Sequence, residues 1–136
     1  MSDRDEFVRA MSASAELLQV EEYEQALNLV DSAIERAVNE GDNSWVRILC
    51  HHAANIAMFS GNPVRVRQYY EKSLANDPEN PRALYGIAKF YLERGERGLA
   101  ESYATRCHEA IARSDDPTAC RSLQEMLSKR WPELGR

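Results

Sequence analysis

The stretch from Val64 to Gly95 reads VRVRQYYEKSLANDPENPRALYGIAKFYLERG and decides the fold. Within it, Asp77-Pro78 ends one helix and Asn80-Pro81 starts the next, because proline lacks the backbone N–H that a helix interior requires. A shift of 34 residues superimposes related residues, namely Cys50 on Leu84, Ala54 on Ala88, Gly61 on Gly95, Tyr69 on Tyr103 and Ser73 on Cys107. A period of this length predicts a repeated pair of helices.

Prolines and glycines divide the remaining sequence into helices. Gly61-Asn62-Pro63, Asn80-Pro81 and Asp116-Pro117 each place proline directly after an Asn or Asp cap, which is typical of a helix start. Other boundaries fall at Glu21-Glu22, Gly41-Asp42-Asn43-Ser44, Gly95 and Pro132. The pattern predicts an all-α chain with seven helices, over residues 4–20, 23–39, 44–60, 63–75, 81–94, 97–113 and 117–131.

The charge of the chain argues against nucleic acid as a partner. With 136 residues, a formal net charge of -5 and a pI of about 5.2, the chain lacks the basic surface that neutralises phosphates. Residues 1–46 contain 3 basic and 11 acidic side chains, whereas residues 47–136 contain 14 basic and 11 acidic ones. This asymmetry suits steering of a partner or weak homo-oligomer formation, and ordinary solvated helix faces are the alternative.

The cysteines and the first residues favour a cytoplasmic protein. Cys50, Cys107 and Cys120 are odd in number and lie in apolar helical contexts, so we expect no disulfide framework. The opening MSDRDEF is acidic, unlike a secretory signal, and no apolar run approaches the ~20 residues of a membrane span. We therefore expect no membrane insertion.

With these residues in view, the chain resembles a tetratricopeptide repeat (TPR) protein of three repeats and a capping helix. In that family, the first helix of each repeat carries a large apolar residue, then a small one, then an aromatic or apolar one. A glycine forms the turn, and the second helix carries small residues where the two helices pack closely. The third repeat supplies this series with Leu84, Ala88, Tyr91, Gly95, Ala100 and Cys107. The second repeat supplies it with Cys50, Ala54, Ala57, Gly61, Val66, Tyr70, Ser73 and Pro78.

The first repeat departs from the family pattern. Glu22 to Leu27, EYEQAL, looks like the usual opening of the second helix, but Glu21 stands where the turn glycine is common. Ala33 precedes Ser73 by 40 residues, which places about six extra residues around Val38 to Ser44. The resemblance implies a right-handed α-solenoid in a single domain, 1–136, with repeats at about 7–42, 47–80 and 81–114 and a capping helix at about 117–131.

The resemblance also implies a concave groove lined by the first helix of each repeat, which takes an extended or helical peptide. Carried over by position, the partner-binding residues are Met11, Leu18, His51, Asn55, Met58, Phe59, Arg82, Tyr85, Lys89 and Leu92, flanked by Val8, Ala15, Gln19, Ile48 and Glu93. Large apolar and aromatic side chains dominate binding energy at interfaces. The alternative is that the capping helix or the N-terminal segment covers several of them.

One known ligand class of the family is not expected here. Chaperone-binding members hold a C-terminal carboxylate with Lys, Asn and Arg side chains. The corresponding positions are Met11, Ala15, His52, Arg82 and Gly86, of which only Arg82 is basic. Because gripping paired carboxylates needs several charge-assisted donors, we predict that the chain does not bind the tails of heat-shock chaperones.

Neither metal binding nor catalysis is predicted. The three histidines adjoin cysteines, in Cys50-His51-His52 and Cys107-His108, but adjacent residues on a helix point about 100° apart and cannot share one ion. No phosphate-binding glycine loop, nucleophile elbow or HExxH motif is present. We expect no metal, no cofactor and no enzyme activity.

Three hypotheses for function follow. The first is a cytosolic adaptor or scaffold that binds a protein or peptide in the groove. The second is a dedicated chaperone for a hydrophobic client, because three-repeat acidic chains of this size resemble the class II chaperones of type III secretion, and Leu99-Ala100-Glu101-Ser102 is loosely similar to theirs. The third is a self-associating structural subunit.

Overall fold

The computed structural model describes residues 3–116, 118 and 120–135, which form α-helices and no strand. The helices are α1 (Asp3–Gln19), α2 (Tyr23–Asn39), α3 (Asn43–Phe59), α4 (Pro63–Asn76), α5 (Pro81–Glu93), α6 (Arg97–Ala112) and α7 (Arg121–Arg130), followed by a short 3₁₀ helix, Pro132–Gly135. The prediction of an all-α chain with seven α-helices is confirmed. Helices α1 to α6 begin and end within one residue of their predicted bounds.

Helix α7 starts later than predicted. Thr118 and Cys120 lie in a turn, in which the Arg121 N–H donates to the Thr118 carbonyl (3.2 Å). The first α-helical bond of α7 runs from the Gln124 N–H to the Cys120 carbonyl (2.8 Å). The predicted start at residue 117 lies outside the described residues, and the turn after it delays the helix to Arg121.

The helices fall into two compact units, described here separately. The first unit, Met1–Asp77, contains α1 to α4, and the second, Pro78–Arg136, contains α5 to α7. In the first unit each helix packs against the next, and α1 also contacts α3. In the second unit α5 packs against α6, and α7 contacts both. Short turns make α1/α2, α3/α4 and α5/α6 antiparallel hairpins. The assignment of residues 1–136 to a single domain stays a prediction.

Asn and Asp side chains cap three helices as their sequence patterns predict. Asp42 accepts a hydrogen bond from the Trp45 N–H (3.2 Å), Asn62 from the Arg65 N–H (3.1 Å) and Asn80 from the Arg82 N–H (3.2 Å). Each bond satisfies a backbone donor that the first helical turn leaves without an intrahelical partner.

Four helix ends share a left-handed residue. Gly41, Gly61 and Gly95 have φ values of 70°, 75° and 79°, and Glu21 has a φ of 61°. In every case the next N–H donates to a carbonyl five residues before it, for example from Glu22 to Leu17 (2.9 Å) and from Glu96 to Tyr91 (2.9 Å). This bond closes the helix and reverses the chain. Glu21 therefore adopts the conformation of Gly41, Gly61 and Gly95 at an energetic cost.

The six extra residues of the first repeat lie within helices. Helices α2 and α3 have 17 residues each, whereas α4 has 14 and α5 has 13. The loop between α2 and α3 has no additional length, because it spans only residues 40–42. The insertion therefore adds about one turn to each of two helices.

Small residues occupy the buried positions that the repeat pattern predicts. Ala54, Ala88, Ala100 and Cys107 are fully buried, and Ser73 is nearly so. In the second unit, the Cys107 Sγ lies 3.3 Å from the Pro81 carbonyl oxygen, so the end of α6 approaches the start of α5 closely. These positions belong to the core and carry no chemistry.

We expect Ala88→Leu to lower the free energy of unfolding by about 1 to 3 kcal/mol, because added methylenes do not fit a filled core. Ala112→Leu is the matched control, since Ala112 is exposed at the end of α6. Urea unfolding followed by circular dichroism measures both variants. Equal stability of Ala88→Leu and the parent would contradict this packing.

We expect Glu21→Gly to raise the free energy of unfolding by about 0.5 to 1 kcal/mol. The left-handed conformation costs an L-residue about 1 to 2 kcal/mol, and glycine removes this cost. Glycine also has more conformational entropy in the unfolded chain, which lowers the net stabilisation by about 0.5 to 1 kcal/mol. Glu22→Gly removes the same charge at a residue with φ of -87° and should not stabilise. Thermal unfolding measures the stability of both variants. The prediction is wrong if Glu22→Gly is more stable than the parent while Glu21→Gly has the parent's stability.

Candidate functional site

Helices α1 and α3 lie side by side in a parallel arrangement. The Phe7 and Trp45 rings meet near the starts of the two helices, with centroids 5.3 Å apart. Further along, the Ser14 Oγ and His52 Nε2 are 2.8 Å apart. Both contacts join residues 38 positions apart in sequence. This constant offset sets the register, and therefore which side chains of α1 and α3 border the surface between them.

That surface, the α1–α3 face, is largely apolar. Met58 and Phe59 are 52% and 69% exposed at the end of α3, and Ile48 is exposed near its start. Met11 and Leu18 on α1 and Asn55 on α3 are half-buried. The structure thus places Met11, Leu18, Asn55, Met58 and Phe59, five of the predicted groove residues, on two helices in contact.

The two histidines of α3 face different neighbours. The His51 ring lies 6.5 Å from the ring of Tyr70 on α4, centroid to centroid, whereas His52 reaches Ser14 on α1. The groove predicted from sequence includes His51 and does not include His52. It is His52 that connects the two helices of the α1–α3 face.

His52 joins α3 to α1 through a hydrogen bond. Its Nε2 lies 2.8 Å from the Ser14 Oγ, which in turn donates to the Met11 carbonyl (2.9 Å). Burial lowers the pKa of His52 below its ordinary value of 6.5, against an opposing hydrogen bond to the Met11 backbone. The α1–α3 face therefore carries no charge from His52 at neutral pH.

The predicted residues of the second unit have a more polar setting. Tyr85 is buried, and its phenolic oxygen accepts a hydrogen bond from Arg130 Nε on α7 (2.9 Å). Lys89 lies 3.9 Å from Glu93 one turn later, Arg82 is exposed and Leu92 is half-buried. Arg130 of helix α7 is thus hydrogen bonded to the Tyr85 hydroxyl. This contact is in line with the alternative that the capping helix covers part of the predicted groove. The assignment of all ten residues to a binding groove stays a prediction.

A second concavity, of about 700 Å³, lies between α2 and α4. Three of its polar side chains, Asp31, Arg65 and Tyr69, bind each other. Tyr69 donates to Asp31 (2.7 Å), and Arg65 contacts Asp31 (3.5 Å) and Glu24 (2.8 Å). Burial is the largest cause raising the pKa of Tyr69, followed by its hydrogen bond to Asp31, so the phenol stays protonated. These contacts hold α2 to α4.

Reactive groups do not converge within the described residues. Burial raises the pKa of the Cys50 thiol to about 11 and that of Cys107 to about 12, so both remain protonated and weakly nucleophilic at neutral pH. Among residues 3–116, 118 and 120–135, no group of three His, Cys, Asp or Glu side chains is arranged to hold a metal ion.

None of the helices in the described part of the chain combines the length and the apolar character needed to cross a membrane.

Solved structures of known proteins share this fold. The Yersinia enterocolitica type III secretion translocator chaperone SycD matches with a TM-score of 0.71, at 19% identity over 99% of this chain and 94% of SycD. SycD in complex with a peptide of the translocator YopD matches with a TM-score of 0.70, at 20% identity over 99% and 95%. The TPR domain of Arabidopsis FLU matches with a TM-score of 0.62, at 20% identity over 82% and 97%.

No family model and no curated protein matches the sequence. At 18–20% identity, the structural likeness shows the fold alone. The chain has a TPR-like all-helical fold.

We expect His52 to make the stability of the protein depend on pH. Since its folded pKa lies below its unfolded pKa, its contribution is fully present above about pH 6.5 and is lost as the pH falls toward the folded value. The difference in unfolding free energy between the parent and His52→Gln should therefore be largest at pH 7 to 8 and shrink at pH 5. A difference that is constant from pH 5 to 8 in urea titrations would contradict a buried, neutral His52.

Proposed function

We propose that the protein is a non-catalytic adaptor of the TPR family that binds a segment of a partner protein along the α1–α3 face. The observation that carries this proposal is the exposure of Met58 and Phe59 beside the half-buried Met11 and Leu18. Exposed large apolar side chains in one patch mark interaction surfaces more often than isolated ones do. Met and Phe side chains also provide adaptable and aromatic anchors.

The chemistry of the face suits a peptide. The helices α1 and α3 run parallel, and the contacts Phe7–Trp45 and Ser14–His52 hold them together. Met11, Leu18, Met58 and Phe59 supply apolar side chains, and Asn55 can both donate hydrogen bonds to a peptide backbone and accept them from it.

A cytoplasmic location is part of the same proposal. It is supported by three buried free cysteines, Cys50, Cys107 and Cys120, because disulfides are rare in the cytosol.

A second candidate is a dedicated chaperone for a hydrophobic client. The likeness to SycD supports it, because that likeness extends over 99% of this chain and 94–95% of SycD, and because SycD has been solved with a peptide of the translocator YopD. An adaptor and a chaperone share the same binding face and differ in the state of the partner. A chaperone client should be insoluble without the protein, whereas an adaptor partner should be soluble alone.

We expect Met58→Ser combined with Phe59→Ser to abolish partner capture from the native host. Burying two large apolar side chains contributes about 3 kcal/mol or more, so affinity should fall about 100-fold. Leu29→Ser combined with Leu99→Ser is the matched control, because both leucines are exposed on other helices. Mass spectrometry should detect one partner with the parent and the control but not with the double variant.

Unchanged capture by Met58→Ser/Phe59→Ser would contradict binding at this face. Once the partner is identified, its expression with and without the protein separates the two candidates. A partner recovered in the soluble fraction only when coexpressed supports the chaperone, and a partner that is soluble alone supports the adaptor.

A further inference from the structure

The concavity of about 700 Å³ between α2 and α4 has the size of a ligand pocket. We call it the α2–α4 cavity. Helix α2 lines it with Asp31, Ile34, Glu35, Val38 and Asn39, and α4 lines it with Arg65, Gln68, Tyr69, Lys72, Ala75 and Asn76. On both helices these residues recur every three or four positions, so one face of each helix forms a wall of the cavity. None of them belongs to the α1–α3 face.

The hydrogen bond from Tyr69 to Asp31 sets the register of the two walls. Its residues are 38 positions apart in sequence, and α2 and α4 run parallel because each is antiparallel to α3. At this offset Lys72 on α4 lies within one residue of the level of Glu35 on α2, one turn beyond the bonded pair. The cavity therefore has a basic side chain on one wall and an acidic side chain at the same level on the other.

These two charged side chains do not pair with each other. At one end of the cavity Asp31, Arg65 and Tyr69 are bound together. Within the part of the chain that the structure describes, the Glu35 and Lys72 side chains form neither an ion pair nor a hydrogen bond. The two walls are thus joined at the bonded end and carry opposite, unpaired charges one turn further along.

The charge of Lys72 acts on the protein interior. Cys50 is fully buried on α3, the helix against which α2 and α4 both pack. Burial raises the pKa of its thiol to about 11, whereas the charge of Lys72 lowers this pKa and the charge of Asp31 raises it. Because the effect of a charge falls with distance, the Lys72 ammonium lies near α3, on the cavity side of its helix. The ammonium is therefore accessible to a ligand between the walls.

The remaining lining suits a peptide. The side-chain amides of Gln68 and Asn39 form no hydrogen bond within the described residues, and each can donate to a peptide backbone and accept from it. Ile34 is fully buried and Val38 is 41% exposed, so the α2 wall also offers apolar surface. From Asp31 to Asn39 this wall is about 12 Å long, which matches about four residues of extended chain.

From the unpaired charges on facing walls we infer that the α2–α4 cavity binds an extended peptide segment with one basic and one acidic side chain. The basic side chain pairs with Glu35, the acidic one pairs with Lys72, and Gln68 and Asn39 bond the backbone between them. Both charges of the cavity are then satisfied, which a uniformly basic or uniformly acidic ligand does not achieve. The inference goes beyond the proposed function, because it assigns a second site whose residues are separate from the α1–α3 face.

A selection of random peptides tests this inference without a known partner. A displayed library of peptides of about eight residues is selected on the parent chain. Enriched peptides are then tested on Ala75→Trp, which fills the cavity from an exposed position, and on Met58→Ser/Phe59→Ser, which alters the α1–α3 face. Circular dichroism verifies that both variants are folded. One class of peptides should bind the parent and Met58→Ser/Phe59→Ser but not Ala75→Trp, and should contain Lys or Arg close to Asp or Glu.

Neutral substitutions test each charge by itself. A peptide of this class, with blocked termini and a fluorescein label, is measured by fluorescence anisotropy. Glu35→Gln and Lys72→Gln should each weaken its binding about two- to fivefold. Replacing the basic residue of the peptide by Gln should weaken binding to the parent but not to Glu35→Gln. The matched controls Glu101→Gln and Lys129→Gln, at exposed residues of the second unit, should change the Kd less than twofold.

The inference and the proposed function fail differently in these experiments. Enrichment without paired charges, or peptides that Glu35→Gln and Lys72→Gln bind as well as the parent does, would overturn the inference. Loss of every peptide on Met58→Ser/Phe59→Ser would also overturn it, because all peptides would then occupy the α1–α3 face. Peptides that depend on Ala75 and both charges, with none that depend on Met58 and Phe59, would support the inference and contradict the proposed function.

Discussion

The hairpins of this protein depend on one left-handed residue at the end of the first helix of each pair. At Glu21, Gly61 and Gly95 the chain turns with positive φ, and the next N–H closes the preceding helix. In the first unit, this reversal brings the ends of α1 and α3 to the same edge. The exposed Val20, Met58 and Phe59 lie at these two helix ends.

Much of the fold could be predicted from sequence because its boundaries have local causes. Proline after Asn62 and Asn80 starts a helix whatever surrounds it, and glycine at Gly61 and Gly95 ends one. The Asp116-Pro117 pattern does not predict the late start of α7. The structure has a turn between Thr118 and Arg121 directly before the helix. The left-handed turn at Glu21 contains no glycine, so only the repeat pattern predicts it.

The candidate site could be predicted less completely, since it depends on contacts between helices distant in sequence. The family resemblance predicts that Met11, Leu18, Asn55, Met58 and Phe59 line one groove, and the structure places them on two helices in contact, α1 and α3. It did not reveal that His52 contacts Ser14, because that contact depends on the rotation of α3 about its axis. Likewise, the hydrogen bond between Tyr85 and Arg130 requires the actual path of α7, which helical periodicity alone does not specify.

The register of α1 against α3 determines which side chains share the α1–α3 face, and intramolecular crosslinking measures it directly. The thiols of Cys50 and Cys107 are buried and remain protonated, so cysteines introduced at the exposed Val20 and Met58 should react first with a short bismaleimide. Val20→Cys/Met58→Cys should crosslink efficiently within one molecule. Val20→Cys/Ile48→Cys should not, since Ile48 lies about 15 Å further along α3. Preferential crosslinking of residues 20 and 48 would contradict the register and the surface built on it.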